Sequence, residues 1–275
     1  MRLPDARELR SAEARDVHGH DLTEYHCPAP GTDYSRMYKD RMQELLRTIR
    51  EALPAGRVLD IGCAQGNTAL LLAEEGYDVC ALDLRPNFLQ YARLKYERGS
   101  IELVAASGDR LPFAQGRFDL AIWGEMIEHV AFPEHFLSEI ARVLRPGGYL
   151  LLTTPNGSRL HTGLPTFSHA GDRRKLVQRQ FQPDSDGHLF LFSLEELRSV
   201  LGKCGFKVVD HQFNATSWLT GRLGFRYFTG WMPLRWRYAL DRWTLRRPHL
   251  AAPLSEGHIV LAQRPPDASL ERETR

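Results

Sequence analysis

Cysteine is scarce and scattered. The four in 275 residues, Cys27, Cys63, Cys80 and Cys204, form no C-x-x-C pair. Neither a zinc knuckle nor a disulfide framework is indicated, and a reduced, cytoplasmic setting is the expectation. Long apolar runs are missing too. Nothing approaches the ~18 consecutive apolar residues of a membrane span, and the charged opening MRLPDARELRSAEARD lacks the apolar core of a secretory signal. Charge of one sign is also lacking. Lys plus Arg number 36 against 34 Asp plus Glu, a formal +2, which argues against nucleic acid or membrane binding by the chain as a whole and leaves any basic surface local. Neither internal repeats nor low-complexity tracts are present. What remains, 43% hydrophobic and 25% charged residues, is the composition of one globular domain with at most an appendage.

Residues 1–33 are polar, punctuated by Pro28, Pro30 and Gly31, and without a sustained period they read as a flexible arm or lid. Order is expected from Tyr34. Apolar residues recur at helical spacing from Met37 to Ile49 and stop at Pro54 and Gly56, predicting a helix over 34–53. An alternation follows. Strands are expected at 57–61, 78–82, 101–105, 118–123 and 149–153, with helices at 67–75, 87–98 and 133–144 between them. A further helix at 194–204, a strand at 206–211 and a last strand at 259–263 complete the pattern. Strands alternating with helices mean a parallel sheet covered on both faces, the doubly wound α/β class. The domain is expected to span 34–265, followed by a polar tail at 266–275. Residues 156–190 form a mostly polar connection longer than loops normally are without a functional reason.

The first strand runs into V-L-D-I-G-C-A-Q-G, with Asp60 at its carboxyl end and Gly62 and Gly66 in the turn before the next helix. Open parallel sheets bind ligands outside these strand ends. A dinucleotide would call for G-x-G-x-x-G, whereas the loop offers G-x-x-x-G. Charge favours a different occupant. A pyrophosphate at the helix N-terminus would be repelled by Asp60, while a ligand carrying an ammonium and a sulfonium would be attracted. Asp83 ends the second strand, where this architecture places an acid on a ribose hydroxyl pair. Asp109 follows the third strand in G-D-R-L-P-F, with acceptor oxygens suited to an exocyclic amine. Each acid alone reads equally well as a cap or turn residue; three at successive strand ends read as a site.

V-L-D-I-G-C-A-Q-G, A-L-D, G-D-R-L-P-F, F-D-L-A and V-L-R-P-G-G-Y-L-L-L-T-T-P, in this order and spacing, resemble the class I S-adenosylmethionine-dependent methyltransferases, nearest to the branch with the ubiquinone and menaquinone biosynthesis enzymes. The resemblance covers about residues 56–213 and the final strand. It implies a doubly wound, mostly parallel seven-stranded Rossmann-like sheet with an antiparallel last strand, and S-adenosylmethionine as cofactor. It further implies that Gly62 and nearby backbone receive the methionine moiety, Asp83 the ribose, and Asp109 with the amide of Arg110 the adenine, with Asp60, Cys63, Gly66, Leu84 and Gly124 also at the cofactor. Cys63 alone reads as a small packing residue rather than a nucleophile.

Methyl transfer from a sulfonium needs alignment, exclusion of water and removal of the acceptor's proton. After the fourth strand, W-G-E-M-I-E-H-V places Glu125, Glu128 and His129 at the carboxyl edge. His129 can act as the base with a glutamate orienting it. The E-x-x-E-H spacing also looks like the magnesium motif of ubiquinone O-methyltransferases and small-RNA 2′-O-methyltransferases, with His188 as a later ligand. Two carboxylates with imidazoles equally suit manganese or zinc. In a third reading these residues merely bridge strand and loop. His161, His169, His211, His249 and His258 are expected in surface or capping roles.

Residues 214–250 hold Trp218, Trp231, Trp236 and Trp243 with Phe225, Tyr227, Phe228 and Tyr238, interleaved with seven arginines (222, 226, 235, 237, 242, 246, 247) against the single acid Asp241. The segment reads as an insertion covering the substrate side. It fits a packed helical subdomain or dimer contact, a peripheral membrane contact admitting a lipid-linked acceptor, or, least well, a nucleic-acid platform. The expected activity is O-methylation of a small or lipid-linked acceptor. Competing readings are N- or C-methylation, 2′-O-methylation of RNA, a nicotinamide-dependent oxidoreductase, and a cofactor-binding scaffold without turnover. Oligomeric state is left open.

Overall fold

A computed structural model of the chain describes residues 1–28, 32–180, 187–220, 227 and 231–266. Seven strands form one sheet: β1 Arg57–Ile61, β2 Asp78–Asp83, β3 Ser100–Ala105, β4 Phe118–Gly124, β5 Leu144–Pro155, β6 Lys207–Thr216 and β7 Ser255–Gln263. Their order is β3-β2-β1-β4-β5-β7-β6, with β7 antiparallel to both its neighbours and the other six parallel. Helices α2 Asp33–Ala52, α3 Asn67–Glu74, α4 Pro86–Lys95, α5 Pro133–Val143 and α6 Leu194–Lys203 cover the faces. Strand order reverses between β1 and β4, so the crevice at their carboxyl ends is the topological switch point where such sheets bind ligands.

Central strands are covered on both faces, which is why they read as near-continuous apolar runs. On one face Trp123 stacks on Phe136 of α5 with ring centroids 5.7 Å apart, within a cluster that includes Phe190 and Phe192. On the other, Met42, Leu45, Leu46 and Ile49 of α2 pack against Val58, Val79 and Leu120. A Thr32–Ser35 capping box starts α2. The strand expectations fall short at the far edge, where β5 begins at Leu144, β6 continues to Thr216 and β7 starts at Ser255. The β6 and β7 extensions pair with one another, Thr216 opposite Ser255 and Phe213 opposite His258, through mostly polar residues that carry no apolar alternation, while Leu144 of β5 pairs with Phe118 of β4.

The expected arm is instead a packed element. Helix α1, Ala12–Thr23, is capped by Ser11 and lies on α4, burying Leu9 and Val17 against Phe88 and Tyr91. Its anchor is polar, so no apolar stripe announced it. Asp21 is fully buried, 2.9 Å from Lys95 Nζ and 2.9 Å from His26 Nδ1, and accepts from the Tyr91 hydroxyl (3.1 Å) and the Asn67 amide (3.2 Å). Lys95 also donates to Asn67, and the chain's terminal amine pairs with Glu74. Between β6 and β7 come α7 Ser217–Thr220, α8 Leu234–Leu245 and α9 Pro248–Leu254. Arg222, Phe225, Arg226 and Phe228, and the tail past residue 266, lie outside the described residues. No described helix is long and apolar enough to cross a membrane.

Burial would raise the Asp21 carboxyl, but hydrogen bonding from His26 and the charge of Lys95 outweigh it and hold the group at about 2. A depressed carboxylate stabilises the fold above its unfolded value near 4 and loses that contribution as pH falls through its folded value. Acid titration of stability is therefore expected to steepen between about pH 4 and pH 2 in the parent chain and to lose that component in Asp21→Asn. Lys95→Met strands a buried charge and should cost about 3–5 kcal/mol in urea unfolding.

Candidate active site

A cavity of about 910 Å³ opens at the switch point. Of the residues expected from the sequence, Asp60, Gly62, Cys63, Asp83, Leu84, Gly124, Glu125, His129 and His188 line it. Gly66 stands one layer back as the left-handed N-cap of α3. Asp109 and Arg110 do not reach the cavity. Both are exposed, and Ser107 and Gly108 form the wall in their place. Gly108 sits so close to Ile61 and Phe136 that a Cβ there would lie 3.1 Å from each, and Asp109 lies exposed beyond it.

The glycine loop is shaped by Asp83. Its Oδ2 accepts from the Ala64 N–H (2.9 Å) and its Oδ1 from the Arg85 N–H (2.9 Å). The first bond holds Ala64 at φ 45°, the left-handed region where a glycine is the easier occupant. Gly62, at φ 72°, could not carry a side chain without displacing Met126, whose Cγ would lie 2.9 Å from its Cβ. The loop thus closes under Met126, with the Gly62 and Cys63 N–H groups donating to the Leu82 carbonyl (2.8 and 3.0 Å) and the Gly66 N–H to that of Cys63 (2.8 Å). Asp60 is buried beside Asp83; burial first, then the neighbouring charge, pushes its carboxyl up to about 7. Burial also pushes the Cys63 thiol well up, which agrees with a packing role and not a nucleophilic one.

Several lining residues had no motif to mark them. Arg41 of α2 meets Glu125 at 3.0 Å, and Glu125 itself sits at φ 51°. Glu24, just past α1, bonds Gln65 of the glycine loop and accepts from the Tyr34 hydroxyl (3.2 Å), so Glu24 and α2 together roof one end of the cavity. At the other end, Arg159 pairs with Glu256 at 2.8 Å, and both line the wall with Asn214 and His258. His258 is buried and 2.9 Å from His211; burial lowers its imidazole to about 3. The surface or capping role expected for His258 is thus replaced by a neutral interior wall residue. The only sequence signal was its place in an apolar strand, H-I-V-L-A.

Glu128, His129 and His188 converge, with ligand-capable atoms all within 4.8 Å of one another. Glu128 is fully buried beneath the cavity wall, and the Thr154 hydroxyl donates to its Oε2 (2.8 Å). Its Oε1, which has no hydrogen-bond partner among the described residues, is 3.9 Å from His129 Nε2 and 3.8 Å from His188 Nε2. Burial pushes this carboxyl well above the ordinary range, and Glu125 adds to the push. Glu125 does not join the cluster, being committed to Arg41.

A raised carboxylate opposes stability once it is forced to ionise: the contribution is complete below the unfolded value near 4 and is lost as pH rises through the folded value. The free protein is therefore expected to lose thermal stability between about pH 4 and pH 7 on account of Asp60, and Asp60→Asn should flatten this slope and melt higher than the parent at about pH 8. Thermal scans across that range read it directly.

The geometry has counterparts among known proteins. A family model described as a methyltransferase domain matches residues 34–211. A ubiquinone biosynthesis O-methyltransferase of Xanthomonas campestris pv. campestris (strain B100) is 38% identical over 110 residues, 39% of this chain and 46% of that one. One of the same name from Cereibacter sphaeroides (strain ATCC 17025 / ATH 2.4.3) is 29% identical over 167 residues, 59% of this chain and 66% of that one. The matches span about half to two thirds of these relatives. Among solved structures, a SAM-dependent methyltransferase from Methanosarcina mazei superposes with TM-score 0.52 at 21% identity, covering 80% of this chain and 98% of that one. The [4+2]-cyclase SpnF superposes with TM-score 0.59 at 20% identity, covering 94% of each; at such identities the likeness concerns the fold, which carries more than one chemistry. With the family model matched over well more than half its length, this chain belongs to the methyltransferase-domain family.

Proposed function

We propose that the chain is an S-adenosylmethionine-dependent O-methyltransferase acting on a small or lipid-linked acceptor. The observation that carries this reading is the pair of buried carboxylates, Asp60 and Asp83, flanking the glycine loop at the ends of β1 and β2. They make the cavity floor favourable to a cationic nucleoside and unfavourable to a pyrophosphate. The cofactor supplies an activated methyl on a sulfonium. Asp83 keeps two lone-pair directions for ribose hydroxyls after accepting from Ala64 and Arg85. Arg41 offers a cation for a carboxylate at the roof, and Ser107 and Gly108 replace Asp109 as the wall for the base. The roof of Glu24 and α2 excludes water, and alignment of this kind supplies roughly 7 kcal/mol of the barrier or more.

The acceptor's proton is the task of the Glu128–His129–His188 cluster. One carboxylate oxygen and two imidazole nitrogens, with a buried oxygen left without a hydrogen bond, fit a divalent cation, and they fit zinc or manganese better than the all-oxygen preference of magnesium. Such an ion supplies Lewis acidity that lowers the pKa of a bound hydroxyl. Without it, His129, at the cavity wall, is the base. A lipid-linked acceptor also implies contact with a membrane through 214–250.

Titration calorimetry should detect S-adenosylmethionine and S-adenosylhomocysteine but not NAD, and Asp83→Ala should abolish the first two; binding of NAD alone would overturn the assignment. Elemental analysis of chain purified with zinc or manganese should find the metal in the parent and about 10–100-fold weaker retention in His188→Ala. Equal metal content in both would remove the ion from this cluster and leave His129 as base.

A further inference from the structure

Helix α8 is inside out. The face against the rest of the protein is polar: Asp241 is buried and accepts from the Thr216 N–H and hydroxyl, both at 2.7 Å, Thr244 is buried beside it, and Tyr238 hydrogen-bonds Asp40. Arg237 donates to Asp33 (3.2 Å) and to the carbonyl of Leu219. The opposite face carries the large aromatics. Trp236 and Trp243, two turns apart on one side, are 61% and 49% exposed, and Trp231 just ahead of the helix is 93% exposed. Leu234 is exposed beside them. Arg235, Arg242 and Arg246 share that outward surface. Between residues 231 and 250 the only acid is Asp241, and it points inward.

A soluble helix ordinarily turns its apolar side to the core, so this reversal needs an external partner. Tryptophan and arginine in one layer, with no acid among them, match the boundary between acyl chains and anionic headgroups. The indoles would sit at the headgroup level, and the arginines would meet phosphate. A convex helix surface offers no groove to follow a nucleic-acid backbone. We propose that the outward face of Trp231–Arg246 docks the chain on an anionic phospholipid surface. The inward face of the same helix is tied toward the cavity's edge: Arg237 donates to Asp33, and the next residue, Tyr34, lines the cavity. The inference does not depend on the chemistry proposed above, since it is read without turnover.

The test uses the full chain with large vesicles of phosphatidylcholine, with and without phosphatidylglycerol, followed by co-sedimentation and tryptophan emission. Binding is expected on the anionic vesicles alone, with a blue-shifted emission and weakening as salt rises. Trp236→Ser with Trp243→Ser should lose most of the blue shift and weaken partition by about tenfold or more. Arg235→Gln with Arg242→Gln should cost about fivefold per arginine on anionic vesicles. Trp236, Arg235 and Arg242 are exposed and Trp243 is half-exposed with Arg247 over its ring, so both variants should stay folded and melt close to the parent, and S-adenosylmethionine binding by the parent is a separate readout. Failure of the parent to sediment with either vesicle overturns the proposal, as does equal partition by both variants. Dimerisation or single-stranded RNA binding that is lost in the tryptophan variant, in a chain that does not bind vesicles, reassigns the face to that partner and overturns it too.

Discussion

Two carboxylates buried side by side at the ends of adjacent parallel strands are costly to ionise, and the rest of the site is arranged around that cost. Asp83 is held by two backbone N–H bonds, and one of these pins the loop by holding Ala64 in a backbone region that alanine seldom adopts. Asp60 has less support and drifts toward neutrality near pH 7. The free pocket is therefore short of positive charge. A cationic ligand would relieve it, so affinity and charge selectivity have the same origin.

Asp21, Lys95 and Asn67 form a buried junction in which helix α1 meets both α3 and α4, and Asn67 is the first residue after the glycine loop. The segment that carries Glu24 to the cavity wall is thus fixed by a buried ionic junction as well as by the apolar contacts of Leu9 and Val17. Such an attachment specifies one docking geometry where an apolar one would tolerate sliding. On the acceptor side the walls come from different sources: the long connection after β5 brings Arg159 and His188, and β7 brings Glu256 and His258.

The doubly wound core was legible because buried parallel strands leave apolar runs and their helices leave apolar stripes; β1 and α3 begin where their patterns do. Asp60, Asp83 and the glycine turn were legible for a related reason, since strand ends in this architecture meet ligands. The cluster of Glu128, His129 and His188 could be suspected from spacing, but Glu125 could not be told apart from Glu128 until Arg41 was seen to claim it. Helix α1 was illegible because it is held by an acid and a lysine far apart in sequence. His258 was illegible because an interior imidazole looks, in sequence, like any polar residue at a strand's edge. Asp109 misled because the cavity wall is formed by Ser107 and Gly108 and the acid lies exposed beyond them.

The pairing of Thr216 with Ser255 across β6 and β7 has an evolutionary reading. Everything from α7 to α9 leaves and re-enters the sheet at one point, between two residues that already face each other. Such a module can be exchanged, shortened or lost among descendants without shifting the register of a single strand. The half of the molecule that builds the glycine loop can then stay fixed while its surroundings diversify.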